Sequence, residues 1–227
     1  MFTQMYTSMG QRTPAAAKSA PGVIEALAMR QDMVKGEAGW IECLNEPADS
    51  PHGMILCHPH PLYGGTMLDG VLESTCHVAK TLGISTVRFN FRGVGASAGE
   101  YDNGQGEIND LAAIVEAFRP NFDAFCLAGY SFGARIALDY TASNPLKGSL
   151  LLFAPPTQAP FPNIENETHT VVGDQDTISS HDVLENWTRQ SIARTLHVID
   201  DADHFLAGFG RELQDVVTDV LVAALAI

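Results

Sequence analysis

The chain has 227 residues, of which 45% are hydrophobic and 18% charged, with 20 glycines and 12 prolines. This balance excludes a collagen-like chain, argues against global disorder, and is enough for one domain of ordinary size. The formal net charge of −14 would repel phosphate backbones and anionic bilayers, so neither a nucleic-acid partner nor a membrane partner is expected. No run of about 18 apolar residues is present, as a membrane span would require.

The N-terminal thirty residues carry polar side chains where a secretory signal would need an apolar run. We therefore expect a cytoplasmic protein. Residues 13–21 are rich in Ala, Ser and Pro, which predicts a flexible leader over residues 1–22 and one domain over residues 23–227. The cysteines lie far apart and form no Cys-x-x-Cys pair, so in a reducing compartment they are expected to be buried thiols and not disulfides or zinc ligands: Cys43, Cys57, Cys76 and Cys126.

Short apolar runs alternate along the chain with longer segments whose apolar residues recur every three to four positions. The runs predict strands over Trp40–Leu44, Gly53–Cys57, Thr86–Phe91, Ala124–Ala128, Gly148–Phe153, Thr168–Val172 and Thr195–Ile199. The longer segments predict helices over Leu68–Leu82, Gln105–Phe118, Phe132–Ala142, Ser180–Gln190 and Arg211–Ala226.

Alternation of strands and helices predicts an α/β fold with an open, mostly parallel, doubly wound sheet and right-handed crossovers. The segment Pro155–Pro162 holds four prolines and predicts a short loop between two strands. Little room is left there for a cap domain, so a site beneath this loop is expected to be open.

The stretch Gly129-Tyr130-Ser131-Phe132-Gly133 directly follows a predicted strand and directly precedes a predicted helix. A strand-to-helix turn this sharp forces strained backbone angles on Ser131, and glycine at 129 and 133 removes side chains that would collide. The pattern predicts a serine hydroxyl raised above the strand ends. An ordinary serine N-cap is the alternative.

A serine hydroxyl needs a base to become a nucleophile, and ligands of open α/β sheets bind at the carboxyl ends of the strands. Only His204 follows the final predicted strand, beyond the acidic turn at 200–203. Asp174 and Asp176 follow the strand Thr168–Val172, and either could orient the imidazole. We favour Asp176, because Asp174 is closer to the strand end, where turn capping is common.

Acyl transfer also needs backbone donors for an oxyanion. The N–H of Phe132 is one candidate. The second is expected in His58-Pro59-His60-Pro61-Leu62, where proline has no N–H, so that His60 or Leu62 remains and His60 is favoured. His58 and His60 could instead share a metal ion, but no further ligand follows at suitable spacing, so no metal site is expected.

Several motifs together resemble the alpha/beta-hydrolase superfamily. They are Gly129–Gly133, the chain order of Ser131, Asp176 and His204, and the stretch Asn90–Ser97. The stretch His58–Met67, followed by Tyr101–Glu107, resembles the small, lidless bacterial members. Family members often carry Asp where Asn90 stands, and an Asn shortly after Gly-Gly-Thr-Met, where this chain has Asp69-Gly70 near the expected pocket.

The resemblance implies a serine hydrolase that acts on a small-molecule carboxylic ester or thioester and needs no cofactor. It also identifies Arg92–Ser97 as a turn that supports the nucleophile strand. The glycines of this stretch do not indicate a bound dinucleotide, because the third glycine of that motif is missing. Acyl transfer or lyase chemistry with the same residues is an alternative, as is a non-catalytic binding protein on this scaffold.

Overall fold

The computed structural model describes residues 29–144 and 146–227. Eight strands form one sheet: β1 (Arg30–Lys35), β2 (Trp40–Glu46), β3 (His52–Cys57), β4 (Ser85–Phe89), β5 (Ala124–Tyr130), β6 (Ser149–Phe153), β7 (Thr168–Gly173) and β8 (Arg194–Ile199). Five α-helices accompany them: α1 (Gly70–Thr81), α2 (Gln105–Phe118), α3 (Phe132–Ser143), α4 (His181–Thr188) and α5 (Gly210–Leu225). The predicted leader at residues 1–22 and the predicted domain start near Val23 lie outside the described residues.

The sheet has the order β1-β2-β4-β3-β5-β6-β7-β8. Only the pairs β1–β2 and β2–β4 are antiparallel; the remaining neighbours are parallel, which confirms the predicted open, mostly parallel sheet. Each predicted strand and helix is present, and its bounds differ from the prediction by two residues at most. Strand β1 was not predicted.

Helices cover both faces of the sheet, because neighbouring residues of a strand point to opposite sides. On one face α1 and α5 pack over Met54, Leu56 and Ala128. On the other face α2 and α3 pack over Ile55, Cys57 and Leu127. The near-continuous apolar runs of the central strands therefore serve two cores, as expected for a parallel sheet.

The strand order reverses beside β3, which places a crevice between the loops that follow β3 and β5. After β3 the chain crosses to β4 on one side, and after β4 it crosses back to β5 on the other side of β3. Such a reversal is where open α/β sheets bind ligands. The loop after β3 and Ser131 after β5 meet at this crevice.

Residues 154–167 connect β6 to β7 without a helix, so within the described residues no cap domain covers the crevice. None of the helices in this part of the chain has both the length and the apolar character needed to cross a membrane.

Candidate active site

Ser131 occupies the turn between β5 and α3 with φ 52° and ψ −116°, a combination that a residue with a side chain rarely adopts. Its N–H donates to the carbonyl of Phe153 at 2.8 Å. A Cβ on Gly129 would lie 2.4 Å from the carbonyl carbon of Gly133, and one on Gly133 would lie 2.3 Å from the carbonyl oxygen of Cys57. Both glycines are therefore required by close backbone approach, as the sequence predicts.

His204 follows β8 after the acidic turn at 200–203 and is buried. Its Nε2 lies 2.9 Å from Ser131 Oγ, and its Nδ1 lies 2.8 Å from Asp176 Oδ2. The Tyr130 hydroxyl donates to the backbone carbonyl of His204 at 3.0 Å, which fixes the histidine's position over β5. Ser131 is the N-cap residue of α3, yet its side chain makes no capping bond, because the hydroxyl points to His204 instead.

The side chain of Asp176 is fully buried. Its Oδ1 accepts hydrogen bonds from the N–H groups of Ile178 at 2.7 Å and Ser179 at 2.8 Å. Burial by itself would raise the pKa of Asp176, but the hydrogen bonds from His204, Ser179 and Ile178 outweigh burial, so the pKa is lowered. An ionised carboxylate only accepts, so it holds the His204 proton on Nδ1 and leaves Nε2 free to accept from Ser131.

Asp174 and Asp203, two further acidic side chains in the loops beside His204, are engaged elsewhere. Asp174 is exposed, and its Oδ1 accepts from the N–H of Asp201 at 2.8 Å, tying the loop after β7 to the turn after β8. Asp203 accepts from the N–H of Phe205 at 2.9 Å within the same turn. The structure therefore brings Asp176 to His204, and gives Asp174 the turn role that its position suggests.

His58 is fully buried directly after β3. The N–H of Phe91 donates to its Nε2 at 3.0 Å, and its Nδ1 lies 2.6 Å from the carbonyl of Pro59. Burial lowers the pKa of His58 to about 4, so the ring is neutral and carries its proton on Nδ1. His58 thus ties the loop after β3 to the residues after β4.

His60 caps a 3₁₀ turn over Pro61–Tyr63, and its Nδ1 accepts from the N–H of Leu62 at 3.2 Å. Its Nε2 lies 3.2 Å from the hydroxyl of Tyr101, and the ring packs against that of Phe132. The N–H of Leu62 is therefore occupied. Among the described residues, the backbone N–H groups of His60 and Phe132 find no acceptor.

A cavity of about 790 Å³ opens beside Ser131. Its wall includes His60, Phe132 and His204, and its largely apolar rim carries Tyr63 and Phe205, whose side chains are exposed. Asp69 also lines the cavity. In the sequence, only its position after Gly-Gly-Thr-Met indicates that Asp69 lies near the pocket.

The described residues hold no group of three or more His, Cys, Asp or Glu side chains arranged to bind a metal ion. All four cysteines are buried free thiols. His197 lies on β8 against His169, with Nε2 and Nδ1 3.1 Å apart, and His181 starts α4 beside Asp182. Neither histidine is hydrogen-bonded to Ser131, whose hydroxyl meets His204.

The turn at 92–97 is held by β2 and α2. Arg92 forms a two-pronged ion pair with Asp110, and Ala96 donates to the Glu42 carboxylate at 2.8 Å. Asn90 donates to the same carboxylate and accepts from the N–H of Met67. These hydrogen bonds tie the turn to β2 and α2 and not to β5, so support of the nucleophile strand by this turn stays a prediction.

The family of this chain follows from its match to a known family model. The alpha/beta hydrolase domain family matches residues 56–224. The chain belongs to the alpha/beta-hydrolase family. Its fold is similar to that of an alpha/beta serine hydrolase without lid, and among the described residues no cap covers its crevice.

Three relatives illustrate the alpha/beta-hydrolase likeness. A serine hydrolase without lid from Xanthomonas campestris is 29% identical, with a TM-score of 0.81 over 88% of this chain and 96% of that one. An alpha-beta serine hydrolase homologue from Coxiella burnetii is 34% identical, with a TM-score of 0.77 over 85% and 97%. An uncharacterised protein of Rickettsia prowazekii (strain Madrid E) is 30% identical over 217 residues, 86% of this chain and 89% of the relative.

Proposed function

We propose that the protein is a serine hydrolase that cleaves a small-molecule carboxylic ester or thioester through an acyl-enzyme. The observation that carries this proposal is the hydrogen-bonded chain of Ser131, His204 and Asp176 in the wall of an open cavity. Backbone strain at Ser131 supports a catalytic role over a binding role on the same scaffold, because strained residues concentrate where chemistry requires them.

Ser131 is the nucleophile, His204 the base and Asp176 the residue that orients the base. In the first half-reaction Ser131 Oγ bonds to the carbonyl carbon, the bond to the leaving oxygen or sulfur breaks, and His204 carries the serine proton to the leaving group. In the second half-reaction water bonds to that carbon, the acyl–Oγ bond breaks, and His204 returns a proton to Ser131. The products are the acid and the alcohol or thiol.

The backbone N–H groups of Phe132 and His60 are the proposed oxyanion donors. Phe132 is the first residue of α3, where the helix dipole favours negative charge. The runner-up donor, Leu62, already donates to His60 Nδ1, which supports His60. Phe132 and His60 both line the cavity beside Ser131, and neither N–H group has an acceptor among the described residues, which supports this role.

Access to the cavity favours hydrolysis over transfer of the acyl group to another acceptor. The 14 residues from 154 to 167 form a loop beside the cavity without closing over it, so water can reach an acyl group on Ser131. An acyltransferase would need to exclude that water. The mostly apolar wall suits the hydrocarbon part of an acyl substrate.

Kinetics on a short-chain p-nitrophenyl ester tests the proposal. Ser131→Ala should lower kcat by at least about a thousandfold while circular dichroism stays native, because loss of a triad member costs that much or more. Ser143→Ala, at the exposed end of α3, is the matched control and should keep native activity. Retention of more than about a tenth of the activity by Ser131→Ala would overturn the nucleophile assignment.

A further inference from the structure

A second cavity of about 310 Å³ adjoins the first one. Its wall is built from the beginnings of α1 and α5 and from the residues just before α5. Three residues line both cavities: Asp69, Tyr130 and Phe205. These three residues therefore stand where the two cavities adjoin.

Asp69 is the only charged side chain in the wall of the second cavity within the described residues. It is half-buried, and no lysine, arginine or histidine of the described chain forms an ion pair with it. Burial raises the pKa of Asp69 against the opposing effect of the N–H groups of Val71 and Leu72. The carboxylate therefore lacks a counter-ion in a mostly apolar space.

Capping of α1 does not explain the charge on Asp69. Its Oδ1 accepts from the N–H of Val71 at 2.9 Å, as an N-cap side chain does. Asparagine and serine cap helices about as well as aspartate, so a neutral side chain would satisfy the same N–H. Capping therefore does not require the charge, which the N-terminal end of α1 stabilises and which also lines both cavities.

The surroundings of Asp69 are negative as well. Burial raises the pKa of Tyr130, and the charges of Asp69, Asp176 and Asp203 raise it further, so the electrostatic field at that hydroxyl is negative. Arg135, the cation in the first cavity's wall, is already paired with Asp139 at 2.8 Å. The net charge of −14 also draws cations toward the protein.

We propose that Asp69 is a specificity-determining residue that selects esters or thioesters carrying an organic ammonium group. The ammonium would lie where the two cavities meet, beside the Asp69 carboxylate and the aromatic rings of Tyr130 and Phe205, which attract a cation through their faces. This inference rests on the proposed function, since it assigns the substrate class of the same site.

Two matched substrate pairs test it, one with the charge on the leaving group and one with the charge on the acyl group. The first is acetylthiocholine and the thioester in which a tert-butyl group replaces trimethylammonium. The second is the p-nitrophenyl ester of trimethylammoniobutyrate and its tert-butyl isostere. In each pair the measured quantity is kcat/KM for the charged substrate divided by that for the uncharged one.

Asp69→Asn should lower this ratio about tenfold in at least one pair, as loss of an ion pair worth about 1.4 kcal/mol would. The uncharged substrates should change little. Asp69→Ser keeps a capping oxygen and should give the same result. Asp215→Asn removes an exposed charge of α5 that lines neither cavity, and should leave the ratio native.

An unchanged ratio in both pairs with folded Asp69→Asn and Asp69→Ser would overturn the inference. Measurements with Ser131→Ala separate that failure from a failure of the proposed function. If hydrolysis depends on Ser131 and the ratio does not depend on Asp69, the role of Asp69 is contradicted and the proposed function is not. Hydrolysis that survives Ser131→Ala contradicts the proposed function itself, and the assignment of Asp69 with it.

Discussion

The backbone of Ser131 is held in an unfavourable conformation by its neighbours on both sides. Its N–H is fixed to the carbonyl of Phe153 on β6, and α3 begins immediately after it. A positive φ at a non-glycine residue costs on the order of 1–3 kcal/mol, which the surrounding sheet and helix must offset. The result is a hydroxyl that meets His204 with no rearrangement.

The first prediction concerns the carboxylate that serves His204. Asp176→Asn should lower kcat by a factor on the order of ten thousand, because the amide would leave the imidazole in the wrong tautomer. Asp174→Asn should cost far less, since that side chain accepts from the N–H of Asp201 and His204 is bonded to Asp176 instead. Ester kinetics on both variants, with circular dichroism as the folding control, decides between them. An inactive Asp174→Asn beside a nearly normal Asp176→Asn would contradict the assignment.

A second prediction is a pH dependence of stability that originates at His58. Burial lowers its pKa from 6.5 to about 4 in the folded chain, whereas the unfolded chain protonates it near 6.5. Protonation therefore favours unfolding: the stabilisation is complete above pH 6.5 and is lost as the pH falls from 6.5 to 4. Between pH 7.5 and 5 this amounts to about 2 kcal/mol.

Urea unfolding of the native protein and of His58→Gln at both pH values measures the His58 effect. Gln keeps an acceptor for the N–H of Phe91 but does not titrate, so its free energy of unfolding should fall less on acidification. The same exchange at the exposed His77 should keep the native pH dependence. Equal losses for the native protein and His58→Gln would refute this source of acid sensitivity.

The contacts of individual residues were only partly accessible to sequence reasoning. The positions of Ser131, Asp176 and His204 after the ends of three parallel strands predicted which side chains could meet, because these strand ends lie at one edge of the sheet. The bond from Tyr130 to the His204 carbonyl and the position of Asp69 between two cavities depend on three-dimensional packing. No spacing in the chain encodes them.

At the level of elements, the turn from β5 to α3 brings the helix unusually close to the sheet. Gly133 on α3 lies so near the carbonyl of Cys57 on β3 that no side chain fits between them. This approach places the start of α3, and with it Phe132, directly over the crevice between β3 and β5.

Gly133→Ala should therefore destabilise the protein by about 1–3 kcal/mol, the usual cost of overpacking a core. Gly210→Ala is the matched control, because a Cβ at the start of α5 meets no atom within 4 Å. That change should leave stability equal or raise it by up to about 1 kcal/mol. Chemical denaturation of the two variants measures the difference, and a Gly133→Ala protein as stable as the native one would contradict the close approach.

Strand β1 shows where element prediction from sequence fails. Its residues alternate between exposed and half-buried positions, and Met33 is 44% exposed. Its sequence Arg-Gln-Asp-Met-Val-Lys has no apolar run, although Val34 packs against the core. The strand is held by backbone hydrogen bonds to β2, which no side-chain pattern indicates. The central strands were predictable because burial on both faces requires continuous apolar runs.

On the scale of the whole molecule, the sheet supplies a rigid base and the loops supply the site. The residues that meet at the cavity come from the chain after β3, β5, β6, β7 and β8. Each loop is fixed by bonds such as those of His58 and Asp174, so the site is assembled before a substrate arrives. Such preorganisation is what stabilises developing charge in acyl transfer.

Metal removal should leave activity unchanged. His58 and His60 use their ring nitrogens for hydrogen bonds to Phe91, Pro59, Leu62 and Tyr101. Ester hydrolysis before and after dialysis against a chelator measures the effect. Activity that disappears with the chelator and returns with zinc would show that the reaction needs a metal ion, which the proposed mechanism does not include.

The central claim is that Ser131 is an activated nucleophile. Intact-mass spectrometry after treatment with a fluorophosphonate tests it most directly, because the reagent bonds to a serine only when a base removes its proton and fluoride departs. The native protein is expected to gain the mass of one phosphonyl group, and Ser131→Ala to gain none. An unlabelled native protein, or a Ser131→Ala variant labelled to the same extent as the native protein, would contradict the account.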